Sequence, residues 1–228
     1  MSQKTRVVIL DDHQSIIDGY LYRLSHFPQI EVVATINYGE ELETTLKKSA
    51  TDVLLLDVNV PTNGENSNPY PILYTIPKLL QVYPELNILV ISMYAEKGLI
   101  RAVMEAGASG YILKEDQATI RELGNVVVSV ASGGIHFSQK AHRLFLTNQQ
   151  ADGDNLLTGR QLEALSLCSS YPNSTTSELA QKMMVSNSTV RNLLSGAYIR
   201  LGVHTRAAAI AKAREMGIIT PYSPAFTA

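Results

Sequence analysis

Residues able to carry chemistry stand directly at the ends of apolar runs in this chain. Asp11 and Asp12 follow "RVVIL" (6–10), Asp57 follows "DVLLL" (52–56), Ser92 closes "NILVIS" (87–92) and Lys114 follows "GYIL" (110–113). Three carboxylates drawn to one place repel one another unless a divalent cation joins them, and an all-oxygen set favours magnesium over zinc. A single acid at such a position is more often a cap or a surface group, and Lys114 alone reads equally as a solvated loop lysine. Recurrence at four matching run ends is what points to a site.

Those runs have to be strands for the residues to converge. Val53, Leu54, Leu55 and Leu56 are apolar without a break, the pattern of a strand covered on both faces of a parallel sheet. A further run, "EVVAT" (31–35), brings the strands to five, and the segments between them carry helical spacing, as in Ile17, Tyr20, Leu21 and Leu24 or Ile120, Leu123, Val127 and Val130. The alternation predicts a five-stranded, parallel, doubly wound sheet whose carboxyl rim gathers the acids. "ASGGIHFS" (131–138) ends this unit, and the polar stretch 139–156 reads as a linker. Beyond it strand signals vanish. Leu162 and Leu165 mark one short helix, and Leu179, Ala180 and Met183 a second, opened by Thr175 with Glu178 in a capping box. "VSNSTV" then makes a turn and a new start at Ser186.

Composition agrees with two domains: 228 residues exceed the usual single unit. One cysteine, Cys168, excludes an intrachain disulfide and suits a reducing compartment. No secretory signal and no apolar stretch of membrane-spanning length is visible, so a soluble, cytoplasmic protein away from membranes is expected. Residues 1–150 carry 12 basic against 16 acidic side chains, whereas 151–228 carry 7 against 5, leaving the tail mildly basic. That is a faint nucleic-acid signal.

"LDDHQ", "LLLDVNVP", "VISMY" and "GASGYILKED", in this order, resemble the receiver domain of two-component response regulators over about residues 5–138. The resemblance implies a flavodoxin-like fold in which Asp57 accepts a phosphoryl group from a histidine kinase. It further implies that Asp12 binds Mg2+ directly, that Asp11 acts largely through water, and that the Asn59 backbone carbonyl, with Asp57, completes the protein ligands. Lys114 would meet the phosphoryl oxygens, Ser92 would donate its hydroxyl to them, and Tyr111 would turn inward in response; half-buried packing is the other reading of Tyr111. One departure is "TNGENSNPYP" (62–71), about seven residues longer than receivers have there, either a lid over Asp57 or a surface loop.

"LTGRQLEALSL", "SELAQKMMVSNSTVRNLL" and "RLGVHTRAAAI" resemble the LuxR-type helix-turn-helix domain of the NarL/FixJ group, here residues 157–228 with a C-terminal tail. Gln161, Arg191, Leu193 and Gly196 replace the family's common Glu, Lys, His and Asn. Helical spacing turns Val190, Leu193, Leu194, Ala197 and Leu201 inward and Ser188, Arg191, Asn192 and Ser195 outward, where a recognition helix meets the major groove. Arg191 and Asn192 are base-reading types, and Arg200, Thr205 and Arg206 are candidate phosphate contacts.

The expectation is a response regulator, not an enzyme, that controls transcription as a phosphorylation-dependent homodimer on double-stranded promoter DNA. The alternative is a receiver-containing signalling protein that acts through protein contacts. A haloacid-dehalogenase-type phosphatase fits less well, because it needs Asp where Asn59 stands.

Overall fold

Uninterrupted Val, Ile and Leu runs set the strands of the first domain, and the alternation within each run divides its side chains between two helical layers. The computed structural model describes residues 4–147 and 156–221. Strands β1 (Thr5–Leu10), β2 (Ile30–Ile36) and β3 (Val53–Leu56) precede a hairpin of β4 (Pro61–Asn63) and β5 (Asn66–Pro69); β6 (Asn87–Ser92), β7 (Gly110–Leu113) and β8 (His136–Phe137) follow. The parallel sheet runs β2-β1-β3-β6-β7-β8. All five expected strands are present, and β8 adds a short sixth at the edge of β7. Chain direction across the sheet reverses between β1 and β3, the position at which open α/β sheets leave a crevice.

Val53 and Leu55 face α1 (Gln14–Leu24) and α6 (Leu123–Ala131), while Leu54 and Leu56 face the layer containing α2 (Leu42–Lys48), α3 (Ile72–Val82) and α4 (Lys97–Glu105). A short α5 (Gln117–Arg121) opens the return to α6. Part of the expected linker is helical: α7 (Gln139–Leu146) packs on α4 and on the β7–β8 edge. Its remainder, 148–155, and the tail from 222 onward lie outside the described residues.

The second domain comprises α8 (Gly159–Ser170), α9 (Thr176–Met183), α10 (Asn187–Leu201) and α11 (Arg206–Glu215). Thr175 and Glu178 form the expected capping box, and Ser186 accepts from Thr189 N as the N-cap of α10. Met184 takes the left-handed conformation, φ 52°, that closes α9 before the turn. Val190, Leu194, Ala197 and Leu201 are buried as the spacing requires.

Two departures from the family pattern meet here. Gln161 caps α8, its side-chain oxygen accepting from Thr158 N at 2.9 Å. A Cβ on Gly196 would stand 2.6 Å from Gln161 Nε2, so the glycine in α10 makes room for the cap of α8. Gly196→Ala gains about 1 kcal/mol of helix propensity and forfeits roughly as much by dislodging the cap. In a Gln161→Ala background the full gain of about 1 kcal/mol is expected. Chemical denaturation of the four-member cycle checks this; equal gains in both backgrounds would show that the pair does not interact.

Candidate functional site

The acids meet because β1 and β3 are neighbours. Asp57 N donates to Leu10 O at 2.9 Å, which extends the β1–β3 ladder to the rim and places Asp57 beside Asp11. Lys114, at the end of β7, is held by its own N–H on Ser92 O at 2.8 Å. Its ammonium reaches Asp11 Oδ2 at 2.7 Å and Asp57 Oδ2 at 2.8 Å. Asp57 is 6% exposed and Asp11 1%, so this is a buried ion triad.

Its electrostatics follow from that burial. Desolvation pushes the Asp57 carboxyl up to about 6, with the Asp11 charge adding and Lys114 opposing. Burial works against the Lys114 ammonium, but the Asp57 and Asp11 charges outweigh it and raise its pKa. Asn59 N lies 3.4 Å from Asp57 Oδ1, a long contact that turns the backbone after β3 around the carboxylate.

Asp12 is less buried and pairs with His13, Nδ1 to Oδ1 at 2.8 Å. Among the described residues, ligand atoms of Asp11, Asp12 and His13 lie within 4.8 Å of one another. Oxygen donors from two adjacent acids, with a third buried carboxylate held nearby by Lys114, suit a hard divalent cation. His13 was not singled out in the sequence although it stands in the quoted "LDDHQ"; a lone histidine after two acids carries no spacing signal.

Ser92 is fully buried, and its Oγ accepts from Tyr94 N at 3.1 Å. Tyr111 is also fully buried, not half-buried, and its OH donates to Tyr94 O at 2.8 Å. Ser92, Tyr94 and Tyr111 therefore form one hydrogen-bonded group at the start of the β6–α4 loop. Tyr94 was missed, since nothing in "VISMY" distinguishes a residue used through its backbone.

The insertion is a hairpin, with Thr62 fully buried and its hydroxyl on Asn68 O at 2.9 Å. Its polar contacts run to Glu40 and to the second domain.

On α10, Ser188, Arg191, Asn192 and Ser195 are exposed as expected. Ser188 shares its hydroxyl with Ser186 at 2.8 Å. Arg200 is exposed and reaches Leu156 O at 3.3 Å. The other two candidates are engaged structurally: Thr205 caps α11 through Ala208 N, and the Arg206 guanidinium donates to Ser174 O.

A family model described as the response regulator receiver domain matches residues 7–124. The chain belongs to the response regulators of the NarL/FixJ type. The transcriptional regulatory protein DegU of Brevibacillus brevis is 30% identical over 236 residues, which span 94% of each chain. The oxygen regulatory protein NreC of Staphylococcus aureus is 29% identical over 210 residues, 88% of this chain and 93% of that one. RcsB from Salmonella enterica serovar Typhimurium, solved bound to promoter rprA with the phosphomimetic BeF3-, matches in fold with a TM-score of 0.63 at 23% identity, over 92% of this chain and 98% of that one. Among the described residues, no helix is long and apolar enough to cross a membrane.

Removing the ammonium leaves two buried acids facing each other, which typically costs about 3–5 kcal/mol. Lys114→Ala is expected to lower the unfolding free energy of the receiver on that scale. Adding Asp57→Asn should restore much of it; additive losses in calorimetry would mean that the triad does not act as a unit.

Proposed function

We propose that this chain is a phosphorylation-controlled transcription factor whose phosphoacceptor is Asp57. The observation that carries the reading is the Asp11–Lys114–Asp57 triad at the β1/β3 crevice, a buried carboxylate held beside a cation at the rim of a receiver sheet. A carboxylate oxygen of Asp57 attacks the phosphorus of a phosphohistidine on the kinase; the new P–O bond replaces the P–N bond, and the histidine departs and regains a proton. Lys114, held at 2.8 Å from Asp57, is positioned to follow the added negative charge onto the phosphoryl oxygens. Asp12, Asp57 and the Asn59 carbonyl, with Asp11 largely through water, would hold magnesium, which would supply charge that offsets nucleophile and phosphoryl group together.

The phosphoryl group then accepts from the Ser92 O–H, while the Ser92 oxygen still accepts from Tyr94 N, and drawing Ser92 toward it biases the Ser92–Tyr94–Tyr111 group. The output is a homodimer on promoter DNA, where two copies of α10 lie in successive major grooves. Arg191 and Asn192 are the base-reading side chains, and Arg200 is the phosphate contact. Thr205 and Arg206 stand as further candidates: the Thr205 hydroxyl accepts from Ala208 N and keeps its O–H, and the half-buried Arg206 uses one N–H on Ser174 O.

Incubation with a small phosphodonor and magnesium is expected to add one phosphoryl group, read by intact mass. Asp57→Ala or chelation of the cation should abolish the gain. Labelling of Asp57→Ala at the parental rate would overturn the assignment.

Arg191→Ala should cost about 1–3 kcal/mol on the preferred duplex and flatten preference at one base position. Arg200→Ala should weaken all duplexes alike and lower the salt slope by roughly one counterion. Fluorescence titrations on specific and scrambled duplexes at several salt concentrations separate the two. No affinity of the phosphorylated parent for any duplex would favour output through protein contacts instead.

A further inference from the structure

The hairpin formed by the insertion has an occupant on its outer edge, and that occupant is the second domain of the same chain. Asn66 Nδ2 donates to Ser170 O at 2.9 Å, and the Ser170 hydroxyl donates in return to Pro69 O. Ser170 O lies in the last turn of α8, where a carbonyl has no intrahelical partner. The same happens one helix later: Tyr74, on α3 of the receiver, donates its hydroxyl to Lys182 O in the last turn of α9. Two helices of the second domain thus have orphan carbonyls capped by receiver side chains. Glu40 closes the arrangement, accepting from Asn63 of the hairpin at 2.8 Å on one oxygen and from the Tyr171 hydroxyl at 3.2 Å on the other. Tyr171 in turn carries the Lys182 ammonium 4.0 Å above its ring.

A second contact between the domains lies at the start of α4, just after the β6–α4 loop. Gly98, at the start of α4, approaches the turn after α11 so closely that a Cβ there would stand 2.7 Å from Ile218 Cγ2 and 2.9 Å from Gly217 O. The β6–α4 loop that begins at Ser92 and Tyr94 therefore abuts the second domain directly.

We infer that the 61–69 hairpin is an interdomain clasp, which holds the helical domain on the receiver by capping α8, while the β6–α4 loop forms the opposite, phosphorylation-sensitive contact. Domains in one chain move relative to each other unless their interface is extensive. Here the hairpin supplies the additional polar contacts, and the adjoining apolar side chains of α3 and α8 belong to one continuous core. Loosening the phosphorylation-sensitive contact then leaves the domains tethered at the clasp, as about a hinge. The assignment of that contact as phosphorylation-sensitive rests on the function proposed above; the clasp itself does not.

The test uses the full chain with spin labels at Lys47→Cys and Ala207→Cys, both exposed, while the native Cys168 is buried. In the parent, double electron–electron resonance should give a single narrow distance distribution. The triple variant Asn66→Ala, Tyr74→Phe, Tyr171→Phe removes three of the four interdomain bonds, leaving only Ser170 on Pro69 O, without emptying the core, and should shift the distribution to longer, broader distances with no phosphodonor present. Gly98→Ala, which favours α4 but pushes against backbone of the other domain, should broaden it independently. A broad distribution in the parent, or an unchanged one in the triple variant whether or not Gly98→Ala changes it, overturns the clasp. Phosphodonor labelling of the same samples is read separately: its absence in the parent would sink the phosphoacceptor reading while leaving the distance result in force.

Discussion

The Lys114 ammonium lies between Asp11 and Asp57, carboxylates that the fold cannot separate because β1 and β3 are hydrogen-bonded neighbours. Two acids buried at this rim need a compensating charge from somewhere. Lys114 provides it from β7, two strands away across β6, so the ends of three strands are tied to one electrostatic centre. Any group that brings new charge to Asp57 must renegotiate this triad. Lys114 and Ser92 are joined through the backbone, Lys114 N on Ser92 O, so a shift in the lysine is felt at the start of the β6–α4 loop without a long relay.

That short path matters because the loop does not end in solvent. From Ser92 it passes Tyr94, whose carbonyl holds the Tyr111 hydroxyl, and reaches Gly98, which touches the turn after α11. The path of contacts from acid site to helical domain therefore runs over a few residues of one loop and gives a named contact at which coupling can be probed, whereas distance alone would establish nothing.

Much of this was legible in the sequence, for physical reasons that differ by element. The strands were readable because double-sided burial leaves no polar residue in β3 and only the terminal Asn87 and Ser92 in β6. The α10 face was readable because 3.6-residue spacing separates Val190, Leu194 and Ala197 from Arg191 and Asn192. What escaped was tertiary. "TNGENSNPYP" is polar from Thr62 to Asn68, and polarity reads as loop; nothing local reveals that Asn66 caps a helix about a hundred residues away. Thr205 and Arg206 have the right chemistry for phosphates, but the Thr205 oxygen also accepts from Ala208 N and one Arg206 N–H goes to Ser174 O, contacts that no spacing rule encodes. Nor does helical spacing show that the glycine at 196 leaves room for Gln161, which lies over it from another helix.

The outward face of α10 formed by Ser188, Arg191, Asn192 and Ser195 bears a single formal charge, Arg191, on a chain whose net charge is −2. Sequence-independent affinity for nucleic acid comes almost entirely from cations that displace counterions, and a genome presents a vast excess of random sites. On the function proposed above, such a regulator would spend little of its time parked on irrelevant DNA. More of its copies would stay free, and occupancy of a promoter would depend on pairing two weak readers, so that the response to signal would steepen with the number of copies in the cell.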